Sequence, residues 1–382
     1  MTHLKEYFLF DPEIVFLNHG SFGATPKPVF DDYQAWQREL ERQPVEFLDR
    51  RFRERMALSR ATLAEYLDVE PDNLVYITNA TVGVNTVARS LNLRPGDEVL
   101  ATDHEYGACD RTWRFLSKKQ GFSYLNQAIS LPIASSEDFV EQLWRGVTAR
   151  TKLIFLSHIT SPTAIIFPVA DVCRRAREQG ILTLVDGAHA PGQIPLNLDE
   201  IGADFYTGNL HKWLCTPKGT GFLYARPEVQ HLLEPLVVSW GYEAEKPGPS
   251  QFVDYHEWQG TRDIAAFLSV PAAIEFQRKQ AWNWVRAGCH VLAAEAEARI
   301  RELTGLPSLY ADENWFAQMA SATLPVKTDI VMLKEYLYEE RRIEVPLMEW
   351  HGKKLIRISI QGYNSREDVE ALIKALGDWF GS

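Results

Sequence analysis

The stretch "KLIFLSHITSPTAIIFPVADVCRRAREQGILTLVD" (152–186) decides the fold. "KLIFLS" and "ILTLVD" are short runs dense in aliphatic and β-branched residues, and "VADVCRRAREQG" between them has helical periodicity. The stretch therefore reads as strand, helix, strand. The same alternation extends toward the N-terminus: "LVYIT" (74–78) precedes "VGVNTVARSL" (82–91), and "DEVLAT" (97–102) precedes "DRTWRFLSKKQ" (110–120). Repeated strand–helix units imply an α/β fold with a parallel or mostly parallel sheet covered by helices on both faces. Such sheets bind ligands beyond the carboxyl ends of their strands, so chemistry is expected in the residues that follow each strand.

A chain of 382 residues makes one large domain plus a smaller one. The alternation breaks after "GTGFLYAR" (219–226) into "SWGYEAEKPGPSQFVDYHEWQGTRD" (239–263), rich in Gly, Pro and aromatics, and resumes as a long helical run from 263. This predicts a large domain over 20–258 and a small α+β domain built from an N-terminal arm, 1–19, and from 259–382. The small domain closes with a strand, "KLIRISI" (354–360), and a helix in "NSREDVEALIKALGDWF" (364–380), where Ser365 and Asp368 have the spacing of a capping box.

At 46% hydrophobic and 24% charged, the composition is that of an ordinary globular protein. Forty basic against 51 acidic residues give a net charge of −11 with no block of like charge, which argues against nucleic acid or an anionic membrane as partner. No segment approaches the ~20 apolar residues of a membrane span, and a cytoplasmic location is expected. Cys109, Cys173, Cys215 and Cys289 lie far apart and form no C-x-x-C pair, so free thiols in or near the core are expected, with no disulfide and no metal centre.

Three strand ends carry the chemistry. In "TNATVGVN" (78–85), Ala80 and Thr81 offer amides and a hydroxyl at a helix N-terminus, a position that suits phosphate; N-capping by Asn79 or Thr81 is the alternative. Asp186 ends "ILTLVD" beside Gly187 and Ala188, small residues that admit a flat ring. A buried carboxylate there needs a cationic partner such as a protonated ring nitrogen, the alternative being a capping Asp. In "GADFYTGNLHKWLCTPKGTGFLYAR" (202–226), Lys212 follows another strand beside His211. A lysine desolvated or near other cations loses proton affinity and becomes a usable amine, whereas an ordinary surface lysine does not. Phosphate seat, carboxylate, histidine and lysine at one sheet edge describe a seat for pyridoxal phosphate, an aldehyde cofactor held as a Schiff base and used as an electron sink.

Taken together, "TNATVGVN", "SHITSPTAIIFPV", "VDGAHAPGQIPL", "ADFYTGNLHKWLCTPKGTGFLY", "WQGTRD" and "IRISIQGYN" resemble the class V aminotransferase family of fold-type-I pyridoxal-phosphate enzymes. Within it the chain is most similar to the isopenicillin N epimerase-like branch, which includes carbon–sulfur lyases. The resemblance runs from "FLNHGSFGATP" (16–26) to the last strand. It implies that Lys212 carries the cofactor and moves the proton, that Asp186 pairs with the ring nitrogen, and that His189 lies near the ring's oxygen side. It further implies that Ala80, Thr81, Asn209 and His211 hold the phosphate, with Thr261 of a neighbouring subunit, hence a homodimer. Tyr106 matches the residue stacked on the ring, and Arg357 the one whose planar fork binds the substrate α-carboxylate. Asn18 and His19 would line the pocket entrance. Read alone, Tyr106 is equally a core aromatic, Arg357 a strand-surface ion pair and His189 a core histidine.

Two departures stand out. Ser161 occupies the place of an asparagine that meets the ring hydroxyl in cysteine desulfurases, and Asn209 replaces a common serine while keeping an amide donor. No cysteine follows Cys289, so a mobile thiol that takes up sulfur as a persulfide is not expected. The reading is an epimerase or racemase acting at the α-carbon of an amino acid or an amino-acid-containing peptide. The alternatives are a carbon–sulfur lyase built on the same residues and a cofactor-binding protein without activity.

Overall fold

The computed structural model describes residues 4–381; residues 1–3 of the expected N-terminal arm, and Ser382, lie outside them. The strands are β1 (Val15–Phe16), β2 (Leu74–Ile77), β3 (Glu98–Thr102), β4 (Ser123–Gln127), β5 (Thr151–Ser157), β6 (Leu182–Asp186), β7 (Phe205–Asn209), β8 (Gly221–Ala225), β9 (Met319–Leu324), β10 (Ile343–Glu344), β11 (Leu347–Trp350) and β12 (Lys353–Ser359). The helices of the first half are α1 (His19–Phe22), α2 (Lys27–Arg42), α3 (Phe52–Leu67), α4 (Ala80–Ser90), α5 (Gly107–Gln120), α6 (Ser136–Trp144), α7 (Val169–Glu178) and α8 (Leu198–Ile201). Those of the second half are α9 (Gln251–Glu257), α10 (Ala265–Leu268), α11 (Val270–Lys279), α12 (Trp282–Thr304), α13 (Ile330–Glu335) and α14 (Arg366–Gly381).

The stretch 152–186 folds as its pattern dictates. On α7, Val169, Val172, Cys173 and Ala176 recur at helical spacing and are buried, while Arg174, Arg177 and Glu178 face solvent. On β5, Leu153 and Phe155 enter one apolar cluster while Ile154 and Leu156 enter the other, so successive residues bury on opposite faces. Each such fully buried aliphatic side chain contributes roughly 1.5–3 kcal/mol, which is why the strand needs no polar face.

Seven strands form one sheet in the order β2-β8-β7-β6-β5-β3-β4. From β7 through β6, β5 and β3 to β4 the pairing is parallel, and β8 runs antiparallel to both β7 and β2. The expected mostly parallel sheet is thus a mixed sheet with one reversed strand. Its parallel geometry brings Thr102, Ser157, Asp186 and Asn209, the last residues of β3, β5, β6 and β7, to a single edge.

The C-terminal part carries a three-stranded antiparallel sheet, β11-β12-β9, against which α12 packs, with α14 on α12. The N-terminal segment joins it: β1 pairs with β10, and Asn18 bridges to Ser359. Helices α10 and α11, which follow residue 258, pack against α2 and α3, and one apolar cluster continues from the large sheet to the small one. At the start of α14 the Ser365 amide donates to Asp368 at 3.1 Å, one half of the expected capping box. Among the described residues no helix is long and apolar enough to cross a membrane.

Candidate active site

A cavity of about 570 Å³ opens at the carboxyl edge of the large sheet. Its wall includes Thr81, Tyr106, Asp186, His189, Asn209 and Lys212, so residues from four separate segments of sequence converge there. Ala80, Ser161 and His211 line it as well.

Lys212 lies three residues past β7. Its Nζ stands 3.2 Å from His189 Nε2. Desolvation, aided by the charge of Arg357, lowers its pKa to about 8. The hydrogen bonds fix which partner carries the proton. Trp213 Nε1 donates to His189 Nδ1 at 3.3 Å, and burial together with the charges of Lys212 and Arg357 keeps His189 neutral. A neutral imidazole that accepts at Nδ1 carries its hydrogen on Nε2. That hydrogen can be donated only to an uncharged Lys212 amine. The contact therefore favours the nucleophilic form of the lysine, in the same direction as its depressed pKa. Trp213 is a functional residue that sequence reasoning passed over, although it directly follows Lys212 in the motif.

Asp186 is buried, and desolvation raises its pKa. It accepts the Ala188 amide at 2.9 Å on Oδ1 and the Cys109 thiol at 3.4 Å on Oδ2. Lys212 favours its ionised form through charge at a distance, but no ion pair to Asp186 occurs among the described residues, so a contacting cation is the partner this buried carboxylate still lacks. All four cysteines are buried and free, as expected, and none lines the cavity. Cys109 nevertheless touches the site. Gly187 does not make room for a ring: a Cβ there would lie 2.2 Å from the Tyr206 ring, so its space is taken by the residue that backs Asp186. Ala188 is the small residue on the cavity wall.

The expected phosphate seat lies at the start of α4, where Asn79 caps the helix by accepting the Val82 amide at 3.1 Å. The Ala80 amide, expected to meet phosphate, donates instead to Asn209 Oδ1 at 2.8 Å. That bond orients the Asn209 carboxamide and leaves its NH₂ as the donor. The Thr81 amide and hydroxyl donate to no described residue. His211 Nδ1 donates to the Thr220 carbonyl at 3.0 Å, and desolvation lowers the ring's pKa to about 4.

Arg357 on β12 is buried behind this wall, not on it. Its Nη1 donates to the Ser161 carbonyl at 2.7 Å and hydroxyl at 3.0 Å, and Nη2 reaches the Ser21 hydroxyl at 3.3 Å. Nε has no partner, so the edge formed by Nε and Nη2 is the one free for a carboxylate. Burial lowers its pKa to about 10, still charged at neutrality. Ser161 is thus engaged with the guanidinium. Tyr106, the residue before α5, is 46% exposed on the cavity, which removes the core-aromatic reading.

Asn18 and His19 do not line the entrance. His19 is fully buried, with Nδ1 at 2.9 Å from the Tyr363 hydroxyl and Nε2 at 3.0 Å from the Lys212 carbonyl. Asn18 bonds Glu344 at 2.8 Å and accepts the Ser21 hydroxyl at 2.5 Å. Their neighbours Ser21 and Phe22 line the cavity instead. Gly23 closes this segment onto the lysine loop: at φ 69°, a Cβ would lie 2.0 Å from the His211 carbonyl oxygen. Thr261 is also off this cavity. It is exposed, on the wall of a larger hollow of about 1010 Å³ that includes Trp240. The buried charges of that hollow, Arg60 and Glu257, pair with each other at 2.7 and 2.8 Å.

Residues 16–372 match the model of the family described as Aminotransferase class-V. The chain belongs to the class-V aminotransferase family. It is 35% identical to isopenicillin N epimerase of Amycolatopsis lactamdurans, covering 98% of this chain and 97% of that one. It is 27% identical to a probable chloroplastic L-cysteine desulfhydrase of Arabidopsis thaliana, covering 97% of this chain and 84% of that one. Among solved structures it resembles C-DES, a cystine C–S lyase, in a form with glycine covalently linked to the PLP cofactor, at TM-score 0.84 and 22% identity over 98% of this chain and 99% of that one. The fold is therefore fold-type I, and pyridoxal 5'-phosphate is the cofactor of this class-V enzyme. The residues present fit such a group: a buried acid without an ion pair, an amine of lowered proton affinity and a helix N-terminus with the Thr81 amide free share one cavity.

Proposed function

We propose that the protein is a homodimeric isopenicillin N epimerase-like enzyme that inverts the α-carbon of an amino acid or an amino-acid-containing peptide. The observation that carries this reading is the Lys212 amine, 3.2 Å from a neutral His189, in the same cavity as Asp186, a carboxylate without a counter-ion. Bound here, pyridoxal phosphate supplies an electron sink for the charge left when the α-proton departs. Lys212 holds the cofactor and removes that proton. Asp186 keeps the ring nitrogen charged, while Thr81, Asn209 and His211 seat the phosphate. Arg357 takes the substrate carboxylate on its Nε and Nη2 edge. Tyr106, exposed on the cavity wall, is the acid for the face opposite Lys212. Thr261 completes the phosphate seat of a second copy. A desulfurase route through an enzyme persulfide has no support, because no cysteine lines the cavity.

A carbon–sulfur lyase uses the same lysine and acid, and relatives named as cysteine desulfhydrases, at 27–28% identity, speak for it as the competing reaction. One experiment separates the two: an amino-acid and peptide panel incubated in deuterated water, with α-exchange, enantiomer composition and keto-acid release followed together. Epimerisation gives exchange and both configurations from one pure enantiomer, without pyruvate or ammonia. Pyruvate from a cysteine derivative with no inversion of any substrate replaces the epimerase reading with the lyase. Borohydride reduction and peptide mapping must place the cofactor on Lys212; label on another lysine overturns the site. An active enzyme that sediments as a monomer contradicts the role given to Thr261.

A further inference from the structure

Behind Asp186 lies a second acid that the reaction as described does not use. Glu105 immediately precedes Tyr106, and its carboxyl oxygens are held by two hydroxyls, Thr102 at 2.6 Å on Oε1 and Ser157 at 2.7 Å on Oε2. Thr102 and Ser157 are the last residues of β3 and β5, and Ser157 stands directly opposite Asp186 in the sheet register. Glu105 is thereby fixed against the neighbour of Asp186. The groups that face it are Asp186 from β6, Cys109 from α5 and Tyr124 from β4, all acids and none a cation. No ion pair to Glu105 occurs among the described residues. The charge of Lys212 favours the ionised form of Asp186 and has no such effect on Glu105, so of these two neighbouring carboxylates Asp186 ionises and Glu105 stays protonated.

We propose that Glu105 is a positioning residue for the cofactor that acts through Asp186: seated next to it by Thr102 and Ser157, and kept uncharged by desolvation beside a second acid, it leaves Asp186 the sole negative charge behind the ring nitrogen, and its ionisation at alkaline pH draws the ring proton onto Asp186. The charge balance is simple. Glu105 loses one proton to solvent, and the added negative charge raises the proton affinity of Asp186, the closer carboxylate. Burial raises the Glu105 pKa to about 8, against the lowering effect of its two hydroxyl partners, which puts the change just above neutrality. The inference rests on the cofactor site and is the same whether the reaction is epimerisation or elimination.

The first test needs no cofactor. Difference infrared spectra of the cofactor-free protein, taken on either side of about pH 8, should show the carbonyl stretch of a protonated carboxylic acid that disappears as pH rises. Glu105→Gln, which can still bond both hydroxyls, must lack that band. Ser157→Ala removes a hydroxyl that stabilises the ionised form, so it should move the midpoint upward by about one unit. The second test uses cofactor labelled with ¹⁵N at the ring. In the native holoenzyme the ring-nitrogen shift should move toward the unprotonated value through the same pH range, and in Glu105→Gln it should stay constant. An identical infrared spectrum in the native and Gln proteins overturns the proposal, as does an alkaline ring-nitrogen change that persists in Glu105→Gln. If the Gln variant does not fold, the Ser157→Ala midpoint decides, and an unshifted midpoint refutes.

Discussion

Trp213→Phe tests the argument that makes Lys212 a nucleophile. Trp213 is fully buried, and its indole N–H holds His189 in the Nε2–H tautomer. A charged lysine would need the opposite tautomer, with Nε2 accepting and Nδ1 carrying the hydrogen. That form gives up the Trp213 bond, worth about 1 kcal/mol for a neutral pair. Phenylalanine removes this bias, so the ammonium form gains up to the same amount, and the Lys212 midpoint should rise from about 8 by ~0.7 unit. Capture of the cofactor aldehyde requires the neutral amine. Well below the midpoint its rate should therefore fall about fivefold, and well above it the variant and native rates should coincide. Stopped-flow absorbance of cofactor binding to the cofactor-free protein, across pH, measures this, with thermal melting to confirm that the core tolerates the smaller ring. A variant that melts as a folded protein and captures cofactor with the native midpoint would falsify the tautomer argument.

Asp186→Asn should still bind cofactor but slow α-deuterium exchange by about 100-fold or more, since a neutral amide does not hold the ring nitrogen protonated; an unchanged exchange rate would remove Asp186 from the electron sink. Arg357→Lys keeps the charge but loses the Nε and Nη2 edge, so KM for amino acids should rise roughly 10- to 100-fold with the cofactor absorbance unaltered, and an unchanged KM would mean the carboxylate binds elsewhere. His211 has spent its Nδ1 hydrogen on Thr220, so it can donate to phosphate only after gaining a proton on Nε2. Its pKa in the free protein is about 4, and a bound anion must raise it, so between those two values binding takes up a proton and tightens as pH falls. Calorimetry with inorganic phosphate in buffers of different ionisation enthalpy measures that uptake. His211→Asn should reduce it, and equal uptake in both proteins would leave His211 out of the seat.

The parts of the site legible in the sequence are those set by position along a strand. Asp186 closes β6 and Lys212 follows β7, and a parallel sheet brings such positions to one edge whatever the side chains do next. What stayed hidden depends on partners far away in sequence. The direction of the Asn209 carboxamide is decided by Ala80, 129 residues earlier, and the free edge of Arg357 by Ser161 and Ser21, 196 and 336 residues away. Asn18 and His19 are expected at the entrance from their place in "LNHGSFGATP" (17–26). That local pattern does not reveal that β1 docks on β10 and turns His19 inward against Tyr363. Cys109 reads as a core thiol, and it is one, but its place in the first turn of α5 also sets its sulfur against Asp186. Glu105 carried a signal that was available, an acid beside Tyr106 just past the end of β3; its isolation from cations became visible only with the fold.

The electrostatics of the cavity make sense only with a ligand in place. Lys212 and Arg357 are desolvated, and Arg357 further lowers the proton affinity of Lys212, with no carboxylate in an ion pair with either among the described residues. Asp186 has the reverse problem, since it faces Glu105 and Cys109 and no ion-paired cation. A fold selected for stability alone would join these charges, as it does for Arg60 and Glu257 in the other hollow. Here they are held apart by separate anchors: Trp213 through His189 for the lysine, Ser161 for the arginine, Ala188 and Cys109 for the acid. On the proposed function the counter-charges are a cationic ring nitrogen beside Asp186, a phosphate at α4 and a carboxylate at Arg357. Pyridoxal phosphate supplies the first two and an amino acid the third. Each would therefore relieve an electrostatic cost built into the cavity, with the Lys212 amine already held by His189 before any bond is made.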